Sequence, residues 1–204
     1  MSTTSSVVGS VRREPMRIAG DKVYSDRVIE VRYPWTGEVV ATVPKATVDD
    51  VKRAFKIARD YKPTLTRHER YKILMKAGDI IASRKEEIAR TITLEAGLCI
   101  KDTMYEVGRA SDVLLFAAQH ALIDDGQCFS CDLTHHGKQR RVYTMREPLM
   151  GVISAITPFN HPLNMVSHKI APAIATNNRV VCKPTELQNV FGCHASSVSP
   201  RAAS

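Results

Sequence analysis

The sequence predicts an α/β fold in which several helices lead into one βαβ unit of a parallel, nucleotide-binding type of sheet. Three observations carry that expectation. Between residues 47 and 121 apolar side chains recur at helical spacing behind recognisable start signals. Residues 149–156, Leu-Met-Gly-Val-Ile-Ser-Ala-Ile, form a near-continuous apolar run, the pattern of a strand covered on both faces. A helical stretch and a second short β-rich segment follow, which completes strand, helix and strand.

Composition sets the outer limits. A chain of 204 residues suits one domain or part of a larger fold. With 44% hydrophobic and 25% charged residues, wholesale disorder and collagen-like repetition are excluded. A charged residue interrupts every apolar stretch before the roughly 18 residues of a membrane span, so no membrane partner is expected. The five cysteines share no spacing, which argues against a disulfide scaffold. The net charge of +8 invites either a nucleic acid or an anionic small molecule. Nucleic acid is not the expectation. Apart from Lys138-Gln-Arg-Arg141 the basic residues are spread along the helices, aromatics are 6%, and no recognition motif appears.

Residues 1–15 are Ser/Thr-rich, with Glu14 as the one acid and basic residues only at Arg12 and Arg13. They lack the apolar core of a secretory signal, so a flexible tail and a cytoplasmic location are expected. Residues 16–121 then form one block of strands and helices. Val28-Ile-Glu-Val-Arg-Tyr33 and Glu38-Val-Val-Ala-Thr-Val43 read as strands around the turn Pro34-Trp-Thr-Gly37. Thr47-Val-Asp-Asp50 resembles a capping box, and Val51, Ala54, Phe55 and Ala58 follow on one helical face. Thr66-Arg-His-Glu69 is a second box, ahead of the stripe Ile73, Leu74, Ala77 and Ile81. A third helix over 84–94 turns Ile88 and Ile92 inward and stops at Gly97. The fourth carries Val107, Ala110, Leu114, Ala117 and Ala121. Residues 122–147 are polar and strand-like, rich in Gly, His and basic groups. Residues 148–186 hold the βαβ unit, with a helix over 163–175 and the strand Arg179-Val-Val-Cys-Lys183. Residues 187–204 are Ser/Ala-rich and are expected to be a disordered tail.

The candidate chemistry lies at the end of the apolar strand. The loop Thr157-Pro-Phe-Asn-His-Pro162 sits where open α/β sheets place ligands. Asn160 could aim its amide at a developing oxyanion, or could be a turn residue that starts the helix. Lys183 and Glu186 of Lys-Pro-Thr-Glu could bracket the hydroxyls of a ribose, or form an exposed ion pair around a proline turn. Cys128-Phe-Ser-Cys131 with His135-His136 lacks a zinc-finger spacing, and a redox CxxC should open a helix, so no metal is expected there. Cys182 lies in a buried strand, where a cysteine is a small hydrophobe.

Taken together, the run Glu147-Pro-Leu-Met-Gly-Val-Ile-Ser-Ala-Ile-Thr-Pro-Phe-Asn-His-Pro-Leu163 and Lys183-Pro-Thr-Glu186 resemble the aldehyde dehydrogenase superfamily. Upstream, Arg84-Lys-Glu-Glu-Ile-Ala89 and Leu94-Glu-Ala-Gly97 resemble its amino-terminal helices, so the likeness covers roughly residues 28–186. Among subfamilies the sequence is most similar to phosphonoacetaldehyde dehydrogenase, with non-phosphorylating glyceraldehyde-3-phosphate dehydrogenase and lactaldehyde dehydrogenase as neighbours. The resemblance implies the amino-terminal part of that fold, with an incomplete Rossmann-like sheet. It also implies NAD(P)-dependent oxidation of a small anionic aldehyde to its carboxylate.

By the same resemblance, Asn160 stabilises the thiohemiacetal oxyanion, and Ile156, Thr157, Pro158 and Phe159 pass the nicotinamide side of the cofactor. Lys183 and Glu186 hold the adenosine ribose. A carboxylate at Glu186 would repel a 2′-phosphate, which favours NAD over NADP. Arg109, in Glu106-Val-Gly-Arg109, matches a position facing the aldehyde entrance, and its planar fork suits a phosphonate. His161 is a second candidate for the anionic group. A hairpin over 122–147 would join subunits of a homo-oligomer. In the family the nucleophilic cysteine, its glutamate base and the glycine loop over the pyrophosphate lie downstream of Lys-Pro-Thr-Glu, and the matching sequence stops at Glu186. The expectation is an amino-terminal fragment that is inactive alone, or a non-catalytic module that pairs with full-length subunits.

Overall fold

The computed structural model describes residues 10–123 and 126–185; the first nine residues, Glu186 and the expected tail over 187–204 lie outside that set. Short strands open the chain. Strand β1 (Arg12–Arg13) runs parallel to the later β5 (Val39–Pro44), whose other edge takes β4 (Val28–Arg32) antiparallel. Between them, β2 (Met16–Ile18) and β3 (Asp21–Val23) make a hairpin of their own. The expected tail therefore needs correction over residues 10–15. Arg12 pairs with Ala41 across the sheet, and its guanidinium reaches Glu95 and Thr91, each at 3.4 Å. A two-residue strand has no alternation to read, and its partners are remote in sequence.

Four helices follow: α1 (Val48–Asp60), α2 (Arg67–Ser83), α3 (Lys85–Ala96) and α4 (Ile100–Leu122). Both capping boxes are present. The Thr47 and Thr66 hydroxyls accept from the amides of Asp50 and Glu69, whose carboxylates accept in return from the threonine amides. At the end of α3, Gly97 has φ +69°, and an added Cβ would lie 3.2 Å from the Pro34 ring. Only glycine meets both demands. The Trp35 indole N–H then donates to the Gly97 carbonyl at 3.1 Å, which seats the 34–37 turn on the helix end.

Helix α4 is the central post. Its Leu114, Ala118 and Ala121 pack with Leu74 of α2 and with Val166, Ile170 and Ile174 of α5 (Pro162–Ala175). Its Val107 and Ala110 pack with Ile88 and Ile92 of α3 and with Leu163. Helix α1 differs. Its stripe of Val51, Ala54, Phe55 and Ala58 has no fully buried member, because it faces an open groove of about 630 Å³.

Residues 127–144 fold as a ribbon of antiparallel strands, β6 (Gln127–Ser130) and β7 (Arg141–Thr144), with every strand residue exposed. The βαβ unit follows as β8 (Ile153–Ile156), α5 and β9 (Val180–Lys183), the two strands parallel. Strand β8 is shorter than the apolar run over 149–156 predicts. The Arg179 guanidinium takes the carbonyls of Leu149 (3.3 Å) and Met150 (3.1 Å), together with that of Arg59 at the end of α1 (3.0 Å). That latch draws the start of the run out of the ladder. Ala155 and Cys182 sit under α5, whereas Ser154 and Ile156, on the opposite face by strand alternation, line the groove beside α1. Among the described residues no helix is long and apolar enough to cross a membrane.

Candidate functional site

The parallel register places Ile156 opposite Lys183, and the Thr157 amide donates to the Lys183 carbonyl at 3.3 Å. The loop after β8 and the lysine after β9 thus emerge side by side at the carboxyl ends of the strands. Ile156, Pro158, Phe159, Asn160 and Lys183 are exposed, while Thr157 is buried. Phe159 lines a cleft of about 310 Å³ with Val31, Pro34 and Glu95. Glu186 lies outside the described residues.

The first turn of α5 decides what this loop can offer. The N-cap residue, His161, makes no side-chain cap, unlike the threonines of α1 and α2. Pro162 has no amide hydrogen. The amides of Leu163 and Asn164 both donate to Glu106 Oε1, at 2.9 and 3.0 Å, and the Met165 amide donates to the His161 carbonyl at 2.9 Å. The orphan amides of Leu163 and Asn164 are therefore taken, and the cap arrives from α4, far away in sequence. Glu106 is only 1% exposed, and its Oε2 lies 3.6 Å from His161 Nδ1. Burial pushes its carboxyl above the ordinary range, while the amides of Asn164 and Leu163 and the His161 ring pull it partly back.

A helix N-terminus after the first strand of such a sheet is usually an anion site. Here the carboxyl group of Glu106 occupies it, so a pyrophosphate would find the amides of Leu163 and Asn164 already taken by an internal acid. The donors exposed at this edge are the carboxamide of Asn160, which makes no hydrogen bond with the described residues, and the ammonium of Lys183, which donates to the Pro184 carbonyl at 3.3 Å. His161 has its Nδ1 turned inward toward Glu106, which leaves the other edge of a half-exposed ring outward. Arg109 is exposed on α4, one turn beyond Glu106. The structure thus joins Lys183 to the 156–159 loop, and joins His161 to the turn of α4 that precedes Arg109.

Among the described residues the cysteines fit no nucleophile site. Burial pushes the Cys182 thiol up to about 11, which keeps it protonated. Cys128 is exposed in β6, Cys131 half-buried just past it, and Cys99 exposed; all three are free thiols. Among the described residues no cluster of His, Cys, Asp or Glu could hold a metal ion.

Glu106 is the residue that sequence reasoning passes over. Its signal is an acid within an apolar stripe: Thr103, Glu106, Val107, Ala110 and Leu114 share one helical face and are all buried. An acid at such a position must have a partner.

The sequence profile described as "Aldehyde dehydrogenase family" matches residues 22–199. A 3-sulfolactaldehyde dehydrogenase of Priestia aryabhattai is 36% identical over 178 residues, which cover 87% of this chain and 37% of that protein. A lactaldehyde dehydrogenase of Methanococcus aeolicus is 38% identical over 160 residues, covering 77% of this chain and 33% of that one. The crystal structure of an NADP-dependent glyceraldehyde-3-phosphate dehydrogenase from Bacillus halodurans, complexed with NADP, superposes with a TM-score of 0.80 at 29% identity, covering 94% of this chain and 41% of that one. The chain thus spans about 40% or less of the length of these relatives. Sequence and fold agree along nearly all of the described residues, and the chain belongs to the aldehyde dehydrogenase family.

Proposed function

We propose that this chain carries the amino-terminal share of an NAD(P)-dependent aldehyde dehydrogenase site that oxidises a small anionic aldehyde, phosphonoacetaldehyde-like, to its carboxylate. The observation that carries the reading is the pairing of the exposed Asn160 loop with Lys183 at the carboxyl ends of β8 and β9. When bound, NAD(P) supplies the hydride acceptor. The chain's residues fit one part of that molecule. Lys183 offers an exposed ammonium to ribose hydroxyls, and the apolar surface of Ile156, Pro158 and Phe159 suits an aromatic ring. They do not fit the pyrophosphate, because Glu106 fills the helix start.

The Asn160 carboxamide donates to the oxygen that gains charge as the aldehyde carbon becomes tetrahedral, and is worth most there because charge develops late. Arg109 and the outer edge of His161 attract the anionic substituent. Two relatives, named for a sulfonated and a phosphorylated aldehyde, support that charge preference; the lactaldehyde relative does not. A carboxylate at Glu186 favours NAD over a 2′-phosphorylated cofactor.

No described cysteine is poised as a nucleophile, so this chain alone should not turn over, and NAD affinity should be poorer than about 1 mM. The exposed β6–β7 ribbon supports pairing with another subunit, either in a homo-oligomer or as a non-catalytic module beside a full-length one.

The test is the coding sequence continued past the codon for Glu186. Its product should reduce NAD with phosphonoacetaldehyde or 3-sulfolactaldehyde at least about tenfold better than with lactaldehyde, a preference that Arg109→Ala removes. Asn160→Ala should lower kcat about 10²–10³-fold. Equal use of charged and neutral aldehydes would overturn the anionic reading, and an unaltered kcat in N160A would remove Asn160 from the chemistry. For the present chain, turnover near about 1 per second would contradict its inactivity.

A further inference from the structure

We propose that Glu106 is the positioning residue for Asn160: reaching from α4, it caps α5 and faces His161, and so fixes the short lead-in that carries the Asn160 carboxamide. The proposal rests on the reading of Asn160 as the oxyanion donor, and it adds a residue that this reading leaves without a role.

Chain connectivity links the two residues. Asn160 is two residues ahead of the first residue of α5 and makes no hydrogen bond of its own with the described residues. Its placement must come from what holds the helix start. The local devices are missing there: the N-cap His161 makes no side-chain cap, and the carboxamide of Asn164, fully buried, has no hydrogen-bond partner among the described residues. What remains is one oxygen of Glu106 taking the amides of Leu163 and Asn164, while the other faces His161 Nδ1 at 3.6 Å. Glu106 therefore touches the chain on both sides of Pro162. Helix α4 is itself rigid at that point, since Val107 and Ala110 are fully buried against α3. A donor aimed at a developing charge works only if it is fixed before the charge appears.

The experiment is nuclear magnetic resonance on the full chain carrying Glu106→Ala or Glu106→Gln. A glutamine keeps a carbonyl oxygen that can accept from both amides, whereas alanine keeps nothing. In E106A the amides of Leu163 and Asn164 should exchange at least about tenfold faster while the Leu74 amide in α2 keeps its protection, a local opening. The order parameter of the Asn160 side-chain NH₂ should fall in the same variant. E106Q should restore both. A merely structural glutamate would alter the melting temperature without singling out the Asn160 carboxamide.

Unchanged exchange and unchanged Asn160 order in E106A would overturn the proposal, as would failure of E106Q to restore them. Should E106A unfold as a whole, Glu106→Asp takes its place, because it draws the oxygens back by one methylene. Wild-type protection and order in E106D would then overturn the proposal, and their local loss would support it. The measurement contains no aldehyde, so it stands apart from the N160A turnover test: Asn160 can fail as the oxyanion donor while Glu106 still orders it.

Discussion

Arg70 holds the carboxyl end of α5 from α2: its Nε donates to the Ala175 carbonyl at 3.1 Å, and both residues are buried. The same guanidinium donates to the Leu65 carbonyl at 2.7 Å, so one side chain ties the start of α2 to the end of α5. Glu106 does the corresponding work at the other end of α5. At the carboxyl end this remote tie adds to a local cap, in which the amides of Asn177 and Asn178 take the Ile174 and Ala173 carbonyls at 3.0 and 2.8 Å; at the amino end the cap itself is remote.

Replacing Arg70 should be among the more costly single changes in the chain. Arg70→Ala strands the buried Ala175 carbonyl and frees the half-buried Leu65 carbonyl, so a loss of about 2–3 kcal/mol is expected from urea unfolding. Arg70→Lys should recover less than half of it, because a single ammonium cannot span the fork that reaches both carbonyls. A loss in R70A below about 0.5 kcal/mol would show that these bonds contribute nothing net.

This pair also shows what could be read from the sequence. The boxes Thr47/Asp50 and Thr66/Glu69 were legible because both partners lie within one turn, and the structure has both. The stripes of α2 to α4 were legible because burial on one helix face is periodic. Arg70, Glu106 and Arg179 were not, because each meets backbone groups more than fifty residues away and charged residues carry no mark of their partners. The pairings β1 with β5 and β2 with β3 were illegible for want of length. Asn160 was a different case. Its position alone favoured a turn residue, and only the family resemblance selected a chemical role.

Glu106 should leave a signature in the pH dependence of stability. Burial, the leading cause, raises its folded pKa above the ordinary 4.5. The folded state then binds the proton more tightly than the unfolded state, so stability falls as pH rises from about 4.5 through the raised value. Below that window both states are protonated and the penalty is absent. Asp50, Glu69 and Glu87, each lowered by hydrogen bonds to Thr47, Thr66 and Arg84 respectively, act in the opposite sense as pH falls. The difference between E106Q and wild type isolates the one group. Measured by urea unfolding at each pH, it should shift in favour of E106Q as pH rises from about 4 to 8. A flat difference curve would show that burial does not perturb this carboxyl.

Cys182 should be chemically silent in the folded chain. It is buried beneath α5 in β9, and its thiol is pushed up to about 11 by burial, so the thiolate fraction at neutral pH is negligible. Treatment with iodoacetamide followed by peptide mapping should label Cys99 and Cys128, both exposed, and spare Cys182 until urea is added. Labelling of Cys182 at the rate of Cys128 in the native chain would mean that β9 opens readily, or that the thiol is not where the sheet places it.

The groove beside α1 sets the last expectation. Val51 is 46% and Ile57 40% exposed on α1, and Ile156 is 67% exposed at the end of β8. These side chains line one open space of about 630 Å³, together with Phe55 and Val181. Burying such a patch is favourable at about 25 cal/mol per Å², whatever covers it. The chain should therefore self-associate, with a sedimentation coefficient that rises between about 5 and 100 μM. Two surfaces could be responsible, the groove and the β6–β7 ribbon, and charge placement separates them. Val51→Lys sits on an exposed helix position, where the fold tolerates it, yet it puts an ammonium into the groove. If the groove drives association, V51K sediments as a monomer across that range. If the ribbon does, V51K associates like the wild type, and Phe129→Lys, on the exposed strand β6, abolishes it instead. A wild-type chain that stays monomeric at every concentration would show that neither apolar surface is available to a second copy.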